Sequence, residues 1–389
     1  MFRDIDLYFP YAISVHMAYN EYGEAYTGQD VAIYVPEPGN YEVKWIYQMD
    51  FSNSTAESYE CMLDDVRLID LNETHEYDGL IYGDRWQDWN WLSMNTETQS
   101  TTPIYMAPNG YNLLCGAYCP EDGNIYGFAY VTKFFENYKT RNAVIDANSL
   151  VCYQFDMFSD SWDTIDTLLT GMTYSIADHT MYAISYSGAL YTLTTDINLT
   201  RTELGELTRA AQLDTNFLNL ASDNWGNLYT VGVNGMLYKI NPATLKAAEV
   251  GFTGLENPDE YFNSLVYDNV ANKLYMNVVS SASDPGSLYL INTRTAEATL
   301  VMDNVGQVTS MFTYTPADFE PGPEPPEFLP GDVDQDGSIT VADALIAMRY
   351  AMGLTDLTPE QLELAEMDGD GTVTISDALI IMRMAMGLV

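Results

Sequence analysis

Residues 172–207 read "MTYSIADHTMYAISYSGALYTLTTDINLTRTELGEL". The string parses as a strand, an Asp, a turn, an "MY" strand, a Gly turn, an "LY" strand, and a Thr-rich turn before a last strand. Residues 219–254, "NLASDNWGNLYTVGVNGMLYKINPATLKAAEVGFTG", repeat that order. Residues 264–305, "SLVYDNVANKLYMNVVSSASDPGSLYLINTRTAEATLVMDNV", repeat it again. Within each strand apolar and polar residues alternate, as they do when one side meets a core. The period is roughly 40–45 residues, the length of a four-stranded propeller blade. A lone blade cannot bury both faces, whereas several stacked around an axis can, leaving only short protected edges.

Working outward, two less regular units precede these copies. One spans about residues 110–170, with "GNIYGFAYVT" (123–132) and "NSLVCYQFDM" (148–157) read as its inner strands. The other spans about 76–106 and lacks a first strand, which "VGQVTSMFTYT" (305–315) can supply. Pairing the first and last strands in one blade closes a ring. The count is five blades, or six if the long second unit is two.

Composition agrees with a mainly β chain. Thirty Tyr and 26 Gly among 389 residues favour strands and turns. With 15 Lys plus Arg against 56 Asp plus Glu, the net charge is -41, which repels nucleic acid and anionic membranes. No apolar run reaches the ~18 residues a membrane span needs, so no membrane insertion is expected. The four cysteines, Cys61, Cys115, Cys119 and Cys152, are too few for a disulfide framework and read as a structural pair or as free buried thiols. The opening "MFRDIDLYFPYAISVH" is interrupted by Arg3, Asp4 and Asp6, so it does not read as a signal peptide. A secreted protein would then begin upstream of this chain.

Residues 1–72 fall outside the repeat. "DVAIYVPEPGNYEVKWIYQMDFSNSTAESYECMLDDVRLID" (30–70) reads as three strands, the last carrying Asp64 and Asp65. It resembles the closing strands of the jelly-roll sandwiches of bacterial adhesins and carbohydrate-binding modules, which implies a partial β-sandwich. Residues 73–315 hold the propeller. "TPADFEPGPEPPEFLP" (315–330) has six Pro and four acidic residues, the composition of an extended, stiff linker. Residues 331–389 then differ in kind.

There, "GDVDQDGSITVAD" (331–343) places carboxylates at alternate positions. A hard cation such as calcium takes six to eight oxygens, which a twelve-residue loop offers at positions 1, 3, 5, 7, 9 and 12, with Gly at the sharp turn. Asp332, Asp334, Asp336, Ser338, Thr340 and Asp343 fill these positions, with Gly337 sixth. After 34 residues Glu366, Asp368, Asp370, Thr372, Thr374 and Asp377 fill them again. Each loop runs into an apolar helix, "ADALIAMRYAMGL" or "ALIIMRMAMGL", and 14 of the 21 positions from 334 and from 368 are identical. Two calcium ions are expected, the second bound more weakly because Glu366 stands where Asp would, and folding should be coupled to the metal.

Position 12 is Asp rather than the Glu of an EF-hand, and Pro330 leaves no room for an entering helix. This duplicated variant, behind a Pro-rich linker, resembles a type I dockerin. The resemblance implies a small α-helical module that plugs an extracellular protein into a cohesin on a scaffoldin or cell surface, as in cellulosomes of anaerobic bacteria. It also implies a cohesin-facing surface at Val341, Ala342 and Arg349 and again at Ile375, Ser376 and Arg383. The two Arg are the only Lys or Arg in the module; a solvated helix face is the alternative. Met348, Met352, Met382 and Met386 read as core between the helices.

The propeller's own role is less legible. "DRWQDWNW" (84–91) offers Trp86, Trp89 and Trp91 beside Asp84 and Asp88, a sugar platform unless the rings are buried between blades. No catalytic residue can be picked out: there is no G-x-S-x-G, H-E-x-x-H or Gly-rich phosphate loop, and acids are too many to single out a glycosidase pair. A non-catalytic binding or adhesion protein, with polysaccharide as a possible ligand, is preferred. A docked carbohydrate-active enzyme (hydrolase or lyase) and a structural spacer are the alternatives. Apart from cohesin, the protein is expected to be monomeric.

Overall fold

The computed structural model describes residues 76–388, except 89, 107–111, 135–136, 156–160, 209–214, 256–262, 282–283 and 325–328. The sandwich expected over residues 1–72 and Cys61 lie outside the described residues. The chain divides into two compact units, the strands in the first and the helices in the second.

The first unit is a ring of five antiparallel blades. Strands β1 (Ile81–Arg85), β2 (Asn90–Asn95) and β3 (Ser100–Met106) form three-quarters of the first blade. The second holds β4 (Leu113–Cys119), β5 (Asn124–Phe134), β6 (Asn137–Asp146) and β7 (Val151–Phe155), with β8 (Ser161–Thr164) added against β6. The third holds β9 (Leu169–Ser175), β10 (Thr180–Ser185), β11 (Ala189–Leu193) and β12 (Arg201–Glu206). The fourth holds β13 (Ala221–Ser222), β14 (Leu228–Val231), β15 (Met236–Asn241) and β16 (Lys246–Phe252). The fifth holds β17 (Leu265–Asp268), β18 (Lys273–Val278), β19 (Ser287–Ile291) and β20 (Ala298–Asp303). β21 (Val308–Phe312) then pairs with β1 and completes the first blade, as the sequence predicts. The long second unit is one blade, lengthened by the β5–β6 hairpin and β8. Its "NSLVCYQFDM" strand is outermost rather than inner, because β6 stands between it and β5.

The repeated Asp and "-Y" of the sequence have a physical partner in the fold. The Tyr82, Tyr126 and Tyr182 hydroxyls each donate to the carboxylate of the Asp four residues earlier, Asp78, Asp122 and Asp178, at 2.6 Å. The same Asp accepts a turn N–H, from Leu80 at Asp78 and from Asn124 at Asp122. The turn and the strand that follows are therefore tied by one side chain. In the fifth blade Asp268 instead accepts from Tyr77, at 2.9 Å.

Every outermost strand carries a register shift, opposite Trp91/Leu92, Val144/Ile145, Leu190/Tyr191, Leu237/Tyr238 and Leu288/Tyr289. Such a bulge twists an edge and blunts it against pairing with another chain. The closing pair has its own bulge: Tyr82 faces Phe312 and Asp84 faces Thr309, so two residues, Ser310 and Met311, oppose Gly83 alone. A Cβ on Gly83 would lie 2.3 Å from Val308 Cγ1, which is why the position is Gly.

The innermost strands β21, β4, β9, β13 and β17 follow one another around the axis. They leave a void of about 10 Å³ between them. The seams between blades are apolar; one joins Trp91 and Tyr82 to Leu113, Ile125, Ile145 and Phe312. Cys115, Cys119 and Cys152 are free thiols, the first two buried.

Among the described residues the second unit has three helices: α1 (Val341–Ala351), α2 (Pro359–Ala365) and α3 (Ile375–Ala385). Thr340 and Thr374 cap α1 and α3, each accepting from the N–H two residues on at 3.1 Å. α2 is not foreseen in the sequence reading, although Thr358, Pro359 and Gln361 form a capping box with Pro in the first turn. Ala344, Ala347, Ala365 and Ala378 join Val333 and Ile381 in the core, small side chains that let the helices approach closely.

Candidate metal and docking site

Each helix start is also a loop end, and one Asp serves both. Asp343 Oδ2 accepts from its cap, Thr340 N, at 2.7 Å, and Oδ1 accepts from Asp334 N at 3.0 Å. Asp377 Oδ2 accepts from Thr374 N at 2.7 Å, and Oδ1 from Met367 N at 2.8 Å and Asp368 N at 3.1 Å. Asp332 accepts from Asp336 N and Gly337 N at 3.1 and 3.0 Å, which folds the loop around its carboxylate. Glu366 accepts from the matching Asp370 N and Gly371 N at 2.9 and 3.4 Å.

These bonds bring carboxylates together. Asp332, Asp334 and Asp343 offer oxygens within 4.8 Å of one another, and so do Glu366, Asp368 and Asp370. Asp332 and Asp343 are fully buried, while Glu366 is half-buried and Asp368 and Asp370 are exposed. Burial, and then the nearby Asp343 charge, push the Asp332 and Asp334 carboxyls above their ordinary range. Burial acts the same way on Asp377, but its N–H donors from Met367 and Thr374 outweigh it and hold the group low. Crowded, oxygen-only donors fit a hard divalent cation such as calcium. The chemistry such an ion supplies is charge neutralisation, which would let the loops keep this packing. The remaining sequence-selected oxygens sit in the same loops: Asp336 Oδ1 accepts from Ser338 N, and Asp370 Oδ1 from Thr372 N, both at 2.8 Å.

The proposed cohesin-facing residues Val341, Ala342, Arg349, Ile375, Ser376 and Arg383 are all exposed. Sequence reading missed their neighbours. Leu345 and Leu379 are also about half exposed and lie one turn on from Val341 and Ile375. Met348 and Met382 pack against the helical core, as expected. Met352 and Met386, read as core, are exposed instead, because each is the C-cap where its helix ends. The result is two like stripes, Val341–Leu345–Arg349–Met352 and Ile375–Leu379–Arg383–Met386.

The tryptophan string is dispersed. Trp91 is fully buried, its ring meeting Phe312 edge-on at 6.1 Å, so it belongs to a blade seam. Trp86 is partly open, donates from Nε1 to Thr309 Oγ1 at 3.0 Å and lies 5.7 Å from the Tyr130 ring. Trp89 lies outside the described residues. Asp84 is fully buried, and Asp88 is paired with Arg85 at the surface. Thus the sugar platform drawn from Trp86, Trp89 and Trp91 does not form at Trp91.

Residues 330–384 match the family model of the Dockerin type I domain. No curated protein matches the chain. Among solved structures, a protein of unknown function from Bacteroides thetaiotaomicron VPI-5482 is 13% identical over 57% of this chain and 64% of its own, with a TM-score of 0.31. A protein of unknown function from Bacteroides caccae is 9% identical over 58% of this chain and 73% of its own, at 0.32. TolB from Acinetobacter baumannii is 12% identical over 59% of this chain and 54% of its own, at 0.34. The chain thus spans less than two thirds of the first and third of these. No described helix is long and apolar enough to cross a membrane. The twinned loop–helix units at residues 330–384 are a type I dockerin domain, preceded in the chain by a five-bladed β-propeller.

Proposed function

We propose that this protein is secreted and is held by calcium-dependent dockerin–cohesin binding on a scaffoldin or cell surface of an anaerobic bacterium. Dockerin domains typically bind calcium, imply a cohesin partner and occur in extracellular cellulosome components. The observation that carries the reading is the pairing of two carboxylate loops, each opening a helix with an exposed apolar stripe that ends in Arg and Met. Two calcium ions are the proposed complement. Residues at positions 1, 3, 5, 7, 9 and 12 of each loop are their ligands, and the two stripes are the cohesin surfaces. The test is cohesin capture of the full chain with calcium and again with a chelator. Capture that survives chelation would remove the calcium dependence, and no capture by any type I cohesin would remove the docking.

The propeller is proposed as a non-catalytic binding module that the dockerin presents, with carbohydrate as the ligand class. An axial void of about 10 Å³ has room for about one water, so a ligand would be met on the surface. Retention on plant and host polysaccharides without new reducing ends is the expected result. New reducing ends would favour the enzyme, and neither effect would favour a spacer.

A further inference from the structure

We propose that Asp84 is held protonated at neutral pH, as a hydrogen-bonding latch between the first and second blades of the propeller, and that this joint loosens when the group ionises. The argument comes from comparing two joints of the same ring. Asp84 stands in β1 two residues after Tyr82, and Asn277 stands in β18 two residues after Tyr275. Both side chains are fully buried. Asp84 Oδ2 accepts from Leu113 N at 2.7 Å, and Leu113 begins β4. Asn277 Oδ1 accepts from Val308 N at 2.8 Å, and Val308 begins β21. Each bond runs from the second strand of one blade to the innermost strand of the next. The two joints are those on either side of the first blade, the one built from both ends of the propeller sequence. At the other three joints the matching residues are Phe128, Ile184 and Val231, which are apolar.

The two side chains differ in their second arm. Asn277 Nδ2 donates to Gly306 O at 2.9 Å and Ser287 O at 3.4 Å. Asp84 Oδ1, the matching atom, has no hydrogen-bond partner among the described residues. An ionised carboxylate would put an oxygen with no donor where the sister joint puts an N–H among carbonyls. It would also bury a charge with no cation acting on it among the described residues, which is far costlier than burying a neutral acid. A protonated carboxyl has the shape of the amide and, like it, one accepting and one donating arm.

The neighbours agree with this reading. The charged group acting on Asp84 among the described residues is Asp88, itself held by Arg85, and its negative charge also disfavours ionisation. β4 brings Leu113 and Leu114, β21 brings Val308 and Thr309, and β2 brings Trp91, none of which titrates. The Thr309 hydroxyl is committed to Leu113 O at 2.7 Å. Burial pushes the Asp84 carboxyl up to about 8, against the opposing Leu113 bond.

The sign follows. Between the ordinary Asp range and about 8, the folded protein holds a proton that the unfolded chain has released. The latch is therefore fully stabilising at low pH and is lost as pH rises through the folded value. One extra bound proton makes the unfolding constant rise about tenfold per pH unit between about pH 5 and 7.

The test compares the full chain with Asp84→Asn, which has the side chain used at the sister joint. All six Trp lie before residue 226, so Trp fluorescence during denaturation is silent on the C-terminal helices. The wild-type unfolding constant should rise relative to that of D84N by about tenfold per pH unit and level off above about pH 8. An infrared difference spectrum, wild type minus D84N at pH 7, should contain a protonated-carboxyl C=O stretch that disappears at alkaline pH. A pH-independent difference, or no such band at pH 7, overturns the proposal. So does stabilisation of wild type but not D84N by added sodium or calcium, which would mean a cation in place of the proton. If D84N does not fold, Asn277→Asp serves instead. It should add a second linked proton and steepen the pH dependence about tenfold per unit over wild type; an unchanged slope overturns the idea.

Discussion

Asp343 and Asp377 close the capping boxes of their own helices and, in the same conformation, face their loops. Loss of metal should therefore be felt as loss of helix. In calorimetry of the full chain, two calcium events are expected, with the first loop tighter because Asp332 is buried at its first position, where the second loop has the longer, half-buried Glu366. Asp332→Ala should remove the tighter event and lower helical circular dichroism. Loss of a direct ligand should exceed the roughly 10–100-fold that loss of a supporting group costs. Glu366→Asp should tighten the second event; if it weakens it, the longer side chain is needed there. At Gly83 the constraint is steric. Gly83→Ala puts a methyl group into Val308 and should destabilise the propeller by about 1–3 kcal/mol in denaturant titrations. Tyr182→Phe removes only the bond to exposed Asp178 and should cost about 1 kcal/mol or less.

At the scale of the helices, the two loop–helix units present matching stripes, so a cohesin that fits one should nearly fit the other after a half turn. Apolar Val341, Leu345, Ile375 and Leu379 offer contact area, and each Arg can reach an acidic rim. Two docking orientations of similar affinity are expected. Ala342→Asp or Ser376→Asp alone should cost about 0.4 kcal/mol, the RT ln 2 of one lost orientation. The double mutant should cost several kcal/mol, because few residues carry most interface energy. Calorimetry against a cognate cohesin decides it: a single change as damaging as the double means only one orientation exists. The two carboxylate clusters were legible in the sequence because their oxygens lie within twelve consecutive residues. The stripes were legible only in part. Leu345 follows Val341 by one turn, yet its exposure depends on where α3 lies, which local spacing does not state. Met352 and Met386 were misread for a related reason, since a periodic pattern does not mark where a helix ends.

At the scale of the whole ring, five blades and the shared closing blade were readable because the Asp–turn–Tyr unit recurs, and three of its copies are held by their own short-range Tyr–Asp bond. What the sequence hid is what passes between blades. Trp91 looked like a ligand platform beside Trp86, but Trp86 stands in the turn after β1 and Trp91 in β2, where the seam with Phe312 covers its ring. Nor did any local pattern mark Asp84 as the partner of Leu113. Phe312, whose ring stacks on Tyr82 at 5.2 Å and meets Tyr118 at 5.4 Å, should be the sensitive point of closure. Phe312→Ala should cost about 3–5 kcal/mol, whereas Phe252→Ala, at an exposed outer strand, should stay within about 0.5 kcal/mol. Equal losses in denaturant titrations would mean that closure is not what holds the ring. The closing pair also sets how the protein answers to tension. Chain runs into β1 at Ile81 and out of β21 after Phe312, and Tyr82 faces Phe312 across the antiparallel pair. A pull on the segments before and after the propeller therefore acts on one end of that pair. The rungs are loaded one at a time, like a zipper, rather than sheared together. Stretched between its two ends, the propeller should open first at Tyr82 and Phe312, under low force, with its first blade peeling away before the other four. Simultaneous rupture of the whole ring in single-molecule stretching would show that the seams, and not the closing strands, bear the load.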